Sequence, residues 1–280
     1  MNQPHILMCP PDYYGIEYEI NPWMNRERKA DHPVAARQWT ALREILEGLG
    51  AKISLLEPQV GLPDLVFTAN AAMIFRGRAI VSRFRHAQRQ GEELYDSEWL
   101  SRNEFAVEYL DEGMYFEGAG DALFCGDTLF AGYRMRSDVT AHQHVAKRID
   151  VQVIPLELVD PYYYHLDTCF CPLSSGLALY YSGAFDDYGL RALDQHVDRL
   201  IDIEADEARN FAANAVVVGE TVVTNRGCPS MHERLRAEGF KTVETPLDEF
   251  VKAGGSAKCL TLRLDGEEAA GWKHDRTEHN

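Results

Sequence analysis

The chain is short of positive charge and of any segment suited to export or to a lipid bilayer. Lysine and arginine number 28 against 44 aspartates and glutamates, a formal net charge of -16. That deficit excludes nucleic acid or an anionic membrane as partner, since both are gripped through basic patches. No run approaches the roughly 20 apolar residues of a membrane span. The opening Met1-Asn2-Gln3-Pro4-His5 has no basic region ahead of an apolar segment, so no secretory signal is expected. Cysteine is sparse, six in 280 residues, with no Cys-x-x-Cys pair. This excludes a disulfide-built scaffold and argues for reduced thiols in the cytoplasm. Cys169 and Cys171, two apart in a strand-like run, suit packing better than zinc. Neither Gly-x-Gly-x-x-Gly nor a Walker loop occurs. No metal and no cofactor is expected.

What is present is a cysteine in an unusual setting. Gly254-Gly255-Ser256-Ala257-Lys258-Cys259 runs directly into Leu260-Thr261-Leu262-Arg263-Leu264. Glycines that free the backbone, followed by a cysteine entering an alternating strand, suggest a thiol placed at a strand mouth. The bland alternative is inert packing, the commonest fate of a buried cysteine.

The chain also repeats itself. Five segments share a small or polar residue, a β-rich run, a turn and a second β-rich run. They start near Asn70, Asp121, Asp167, Asn214 and Lys258, about 45 to 50 residues apart, and these five are expected in equivalent places. Turns are expected at Arg76-Gly77-Arg78, Cys125-Gly126-Asp127, Ser174-Ser175-Gly176 and Gly219-Glu220. Helices are expected between the hairpins. They should carry Trp39 to Leu49, then Trp99 and Leu100, then Val139 to Ile149, then Leu190, Leu193 and Val197, and finally Met231, Leu235 and Phe240. A further strand follows each helix. The unit is strand, strand, helix, strand, with the first copy split between Ile6-Leu7-Met8 and Leu260 to Leu264. The expected fold is therefore an α/β ring of five ββαβ repeats, a single domain over residues 1–266, with a polar tail at 267–280. An ordinary open α/β sheet is the alternative.

Five strand starts on one side of a ring would converge on its axis. That gathers Cys259, Asn70, Asp121 and Asp167, with His165 sharing a face with Asp167 if the segment is extended, and Glu117 in a glycine-rich loop. A thiol, an imidazole, carboxylates and an amide fit nucleophilic catalysis better than a metal site. Crowded carboxylates would discourage a thiolate, and a cationic substrate removes that conflict. A guanidinium is planar, permanently charged and suited to paired carboxylates.

These residues resemble the guanidino-group-modifying superfamily, the penteins, a group that includes arginine deiminases, dimethylarginine dimethylaminohydrolases, amidinotransferases and arginine dihydrolases. The similar stretches are Asn21-Pro22-Trp23-Met24, Leu62 to Asn70, Phe116 to Asp121, Tyr164-His165-Leu166-Asp167 and Gly254 to Cys259, in the family's order. The resemblance implies a five-bladed α/β propeller. It makes Cys259 the nucleophile and His165 the acid/base, with Glu117 orienting His165 and Asp167 binding the guanidinium. Arg89 and Arg136 would hold the substrate carboxylate, and Asn21 and the backbone of Ala253 would line the pocket. Deiminases and dimethylargininases usually carry an acid where this chain has Asn70. The Thr68-Ala69-Asn70 pattern looks instead like the arginine dihydrolases, which release ornithine, two ammonia and carbon dioxide. An amide both donates and accepts, so it suits either a guanidinium or a neutral ureido group. The expected partner is a small molecule, arginine or a related guanidino compound, and a homo-oligomer is left open. Citrulline-forming hydrolysis, an amidinotransferase and a non-catalytic arginine-binding module are the alternatives.

Overall fold

In the computed structural model, which describes residues 3–266, the repeat becomes five sheets of three strands each. Every sheet has the same plan. An inner and a middle strand pair antiparallel, and a helix then carries the chain back so that an outer strand lies parallel to the middle one. Parallel pairing requires such a crossover, because a tight turn cannot reverse the chain twice. The second blade is Ala72–Phe75, Arg78–Val81 and Ala106–Glu108, and the third is Ala122–Cys125, Thr128–Tyr133 and Gln152–Glu157. The fourth is Phe170–Pro172, Leu177–Tyr180 and Arg199–Asp202, and the fifth is Val216–Val218, Thr221–Asn225 and Lys241–Thr245.

The first blade is assembled from both ends of the described chain. Its middle strand His5–Met8 pairs parallel with Lys52–Leu55, while Leu262–Arg263 supplies the inner strand, Ile6 opposite Arg263 and Leu7 opposite Leu262. Apolar seams then run all the way round. Leu7 and Leu262 pack with Ile74 and Val81 of the second blade, whose Met73 and Phe75 pack with Phe124 of the third. Phe130, Phe170 and Val222 join the third, fourth and fifth, and Val216 and Val223 of the fifth return to Ile6 and Met8. The result is a closed five-bladed α/β propeller.

Local chemistry explains the elements. Arg76 and Gly77 both hold positive φ, 48° and 78°, the two-residue turn whose twist matches a hairpin. The first crossover helix, His32–Gly48, starts where the Asp31 side chain accepts from the Val34 N–H and Pro33 presets the first turn, and it buries Trp39, Leu42 and Leu46. The other crossovers are Glu92–Arg102, Val139–Ile149, Asp187–His196 and Pro229–Ala237. Val197 and Phe240, expected inside the last two, lie just beyond them and pack into the core from the exit turns. Among the described residues no helix is long and apolar enough to cross a membrane. The expected tail at 267–280 lies outside the described residues.

The inner strands depart furthest from expectation. Leu260 to Leu264 was expected as a strand entered by Cys259, but only Leu262–Arg263 is one, and Ala257 to Leu260 form a tight turn. The same happens at Thr68–Asn70, Gly118–Gly120 and Leu166–Thr168, each a single 3-10 turn before its strand. His165 and Asp167 therefore do not share the face of an extended segment. A turn also breaks the expected equivalence. Asn70 precedes Ala72 and Asn214 precedes Val216 by two positions, whereas Asp121 directly precedes Ala122, Asp167 precedes Phe170 by three and Lys258 precedes Leu262 by four. Measured from the hairpin turns, which set the register, Asp121 and Asn214 are the true counterparts, each four positions before the last residue of its inner strand, while Asn70 lies five before Phe75.

Candidate active site

The turns before the inner strands meet at one end of the ring, and each delivers one chemical group. Cys259 arrives after two glycines that the packing demands. A Cβ on Gly254, whose φ is +86°, would stand 2.7 Å from the Tyr164 hydroxyl, and one on Gly255 would stand 2.4 Å from the Phe67 ring. The Tyr164 hydroxyl donates to the Gly254 carbonyl at 2.7 Å. The thiol is buried, 3% exposed, and donates to Asp167 Oδ2 at 3.3 Å. Burial, then the Asp167 charge, pushes the Cys259 thiol well above its ordinary range, so among these groups it is held as the protonated thiol.

Glu117 is wholly buried between the His165 imidazole and the Arg136 guanidinium. Its Oε2 lies 2.7 Å from His165 Nε2 and 3.1 Å from Arg136 Nη1. Burial alone would raise this carboxyl, but Arg136 and His165 outweigh it and hold Glu117 below the usual carboxylate range. Burial dominates at His165 and lowers it to about 4 against the pull of Glu117, so the ring is neutral near pH 7. A neutral ring facing a carboxylate carries its proton on Nε2, which leaves Nδ1 as the basic nitrogen. Both halves of this pair are pinned by Asp121. Its Oδ1 accepts from the Leu166 N–H at 3.1 Å and its Oδ2 from the Ser137 hydroxyl at 2.6 Å, and the same Ser137 oxygen accepts from the Glu117 N–H at 3.0 Å.

Asn70 sits beside Glu117. Its Nδ2 donates to the Glu117 carbonyl at 3.2 Å and its Oδ1 accepts from Arg89 Nη1 at 2.9 Å. Gly120 makes room for it, since a Cβ there would lie 2.1 Å from Asn70 Nδ2. Arg89 is itself sealed in. It donates to both oxygens of Glu92, at 2.9 and 2.7 Å, and to the Asp64 carbonyl at 3.3 Å. A substrate carboxylate reaching Arg89 would compete with Glu92. Arg136 lies over the Tyr164 ring, 4.6 Å from its centroid, and donates to the Ile20 carbonyl at 3.2 Å as well as to Glu117. Asn21 donates to the Ala253 carbonyl at 3.0 Å, and the Trp23 indole donates to the Tyr162 carbonyl at 2.7 Å. The segment from Ile20 to Trp23 is thus tied to three turns around the site.

All nine residues expected at the site fall into this one neighbourhood: Cys259, His165, Glu117, Asn70, Asp167, Arg89, Arg136, Asn21 and Ala253. Asn214 was not among them, yet its Nδ2 lies 3.1 Å from the sulfur. Its place in the repeat, four positions before the end of its inner strand like Asp121, is the signal that could have found it. Ser137, whose hydroxyl links Asp121 to Glu117, left no signal in the sequence. Among the described residues no group of three His, Cys, Asp or Glu side chains is placed to hold a metal ion.

Comparison with known proteins shows the family. The family model described as N,N dimethylarginine dimethylhydrolase, eukaryotic, matches residues 16–265. The chain belongs to this family. Within it, the N(G),N(G)-dimethylarginine dimethylaminohydrolase of Mycobacterium tuberculosis is 38% identical over 92% of this chain and 84% of its own length. The bifunctional arginine dihydrolase/ornithine cyclodeaminase AgrE of Nostoc sp. is 47% identical over 92% of this chain, which spans only 37% of AgrE. The N-terminal domain of ArgZ, an arginine dihydrolase from cyanobacteria, solved as a cysteine-to-serine variant bound to substrate, superposes with a TM-score of 0.90 at 45% identity. That match covers 93% of this chain and 98% of the domain. The dimethylarginine dimethylaminohydrolase family is thus joined here to a closer likeness with dihydrolase domains.

Proposed function

We propose that this chain hydrolyses the guanidino group of L-arginine through Cys259 and carries the reaction past citrulline to ornithine. The observation that carries the second half is Asn70. It is an amide, held by Arg89 on its oxygen and by the Glu117 carbonyl on its nitrogen, within an otherwise acidic site. An acid at that position would favour the cationic guanidinium and disfavour the neutral ureido group.

Binding begins with charge. The guanidinium sits against Asp167 and beside Asn70, which Arg89, itself held by Glu92, keeps in place, while Arg136 exchanges the Ile20 carbonyl for the substrate carboxylate. Asn21 and the Ala253 carbonyl close the pocket. The substrate cation beside Cys259 now favours the thiolate, so substrate arrival itself arms the nucleophile. The thiol proton passes to His165 Nδ1, and the imidazolium is stabilised by Glu117. Sulfur bonds to the guanidinium carbon, His165 protonates the departing nitrogen, and the first ammonia leaves a thiouronium on Cys259. Water then gives a proton to His165 and its oxygen to the same carbon. The C–S bond breaks and citrulline is formed. A second attack on the ureido carbon expels the second ammonia and leaves a thiocarbamate. Its hydrolysis frees a carbamate that loses carbon dioxide to become ornithine. One arginine and two waters yield one ornithine, two ammonia and one carbon dioxide.

Product stoichiometry tests this. Two ammonia and one ornithine per arginine are expected, and citrulline accumulating with a single ammonia would overturn the dihydrolase reading. The family match and the mycobacterial relative favour a second reading, release of dimethylamine from dimethylated arginine, which the same assay with that substrate decides. All six cysteines are free thiols, which supports a reducing compartment, the cytoplasm.

A further inference from the structure

Asn214 is fully buried at the start of the fifth blade, and all its side-chain groups are engaged. Its Oδ1 accepts two backbone N–H groups, from Ser256 at 3.1 Å and from Cys259 at 3.2 Å. Its Nδ2 donates to the Asp167 carbonyl at 2.9 Å and to Cys259 Sγ at 3.1 Å. The orientation of the amide is not open to exchange, because only an oxygen can face two N–H donors. The nitrogen is therefore obliged to point at the sulfur. The backbone of the two residues joins in as well, since the Lys258 N–H donates to the Asn214 carbonyl at 3.2 Å. A single side chain thus fastens the turn bearing the thiol to the segment bearing Asp167.

The consequence for chemistry follows from which state of the sulfur wants the hydrogen bond. A thiol accepts one only weakly, whereas a thiolate accepts it as a charge-assisted bond. Near the sulfur, burial and then Asp167 work against the anion. The Ser256 N–H and the Asn214 Nδ2–H, the latter 3.1 Å from the sulfur, work for it. The Asn214 donor acts again whenever the C–S bond of an intermediate breaks and charge returns to sulfur.

We propose that Asn214 is a further catalytic residue, its Nδ2–H stabilising the Cys259 thiolate as nucleophile and as leaving group while its Oδ1 holds the turn that aims the sulfur. This rests on Cys259 being the nucleophile. Asn214→Asp keeps the acceptor and the shape but removes the donating NH2.

The test follows the rate of iodoacetamide alkylation of Cys259 against pH in the full chain, with Cys259→Ser measuring the background of the other five thiols. Asn214→Asp is expected to raise the midpoint by about one pH unit or more. It is also expected to lower kcat on arginine at least about tenfold, with KM within about threefold. An unchanged midpoint with unchanged kcat overturns the proposal. Should circular dichroism show that Asn214→Asp is unfolded, Asn214→Ala is read by the same two arms. Should both be unfolded, the wild type decides. The side-chain amide resonance of Asn214 shifts as the thiol titrates if the bond exists, and a resonance that ignores the titration overturns it. Turnover retained by Cys259→Ser would remove the nucleophile reading itself, and the alkylation arm would still report on Asn214 and the thiol.

Discussion

At the scale of single residues, the site separates charges that would otherwise cancel. Glu117 keeps its charge because Arg136 and His165 flank it, His165 stays neutral because it is buried, and Cys259 stays protonated because it is buried and Asp167 faces it. In the proposed dihydrolase reaction, Asn70 is the residue on which the product turns. Asn70→Asp should lower the ornithine-to-citrulline ratio at least about tenfold in a product assay, because the ureido group loses its donor and faces a second anion. An unchanged ratio would remove Asn70 from that role. The buried histidines set a pH limit. Both His142 and His165 drop from an ordinary 6.5 to about 4, for burial in each case. The unfolded chain binds protons at these rings below about 6.5 whereas the folded chain does not until about 4, so stability falls as pH drops through that window. Each ring contributes on the order of 3 kcal/mol to the loss. Glu117, held below its usual range, keeps its stabilising effect until the pH is lower still. Melting temperatures from pH 7 to pH 4 check this, and a flat profile would contradict it.

At the scale of elements, the turns before the inner strands decide what the site can be. Gly120 illustrates how little slack they have, with the missing Cβ only 2.1 Å from Asn70 Nδ2, on an amide already fixed by Arg89. Gly120→Ala should therefore push Asn70 aside and lower turnover by at least about a hundredfold while leaving the fold cooperative, as read by kinetics beside a thermal melt. These turns were also where sequence reasoning fell short. The crossover helices and hairpins were legible because period and turn residues are local signals, as at Trp39, Leu42 and Leu46 or at Arg76-Gly77. The single 3-10 turns at Thr68–Asn70 and Leu166–Thr168 were not, because three residues are too few to show a period. With the strand start misplaced, Asn70, Asp167 and Lys258 were aligned with Asp121 and Asn214, the pair that does share a place. The groups that make up the site were readable as residue types. Their pairings were not, since Asn214 reaches Cys259, 45 positions along the chain, only through tertiary packing.

At the scale of the whole molecule, the propeller depends on a very small closing piece. Leu262 and Arg263 are the entire inner strand of the first blade, and Leu262 is wholly buried against the seam to the second. Leu262→Ala should cost about 2 to 5 kcal/mol, measurable in denaturant, and should reduce activity at temperatures where the wild type is unaffected. Stability loss without any change in activity near the melt would contradict that link. The reason lies in order along the chain. Four blades can pair their strands with neighbours made only a few dozen residues earlier, whereas the first waits for a strand some 250 positions away, and Cys259 lies just ahead of that strand. A chain still being made, or one whose ring has sprung open, thus exposes His165, Glu117 and Asp167 without the sulfur they serve. The site is unarmed until the ring is closed.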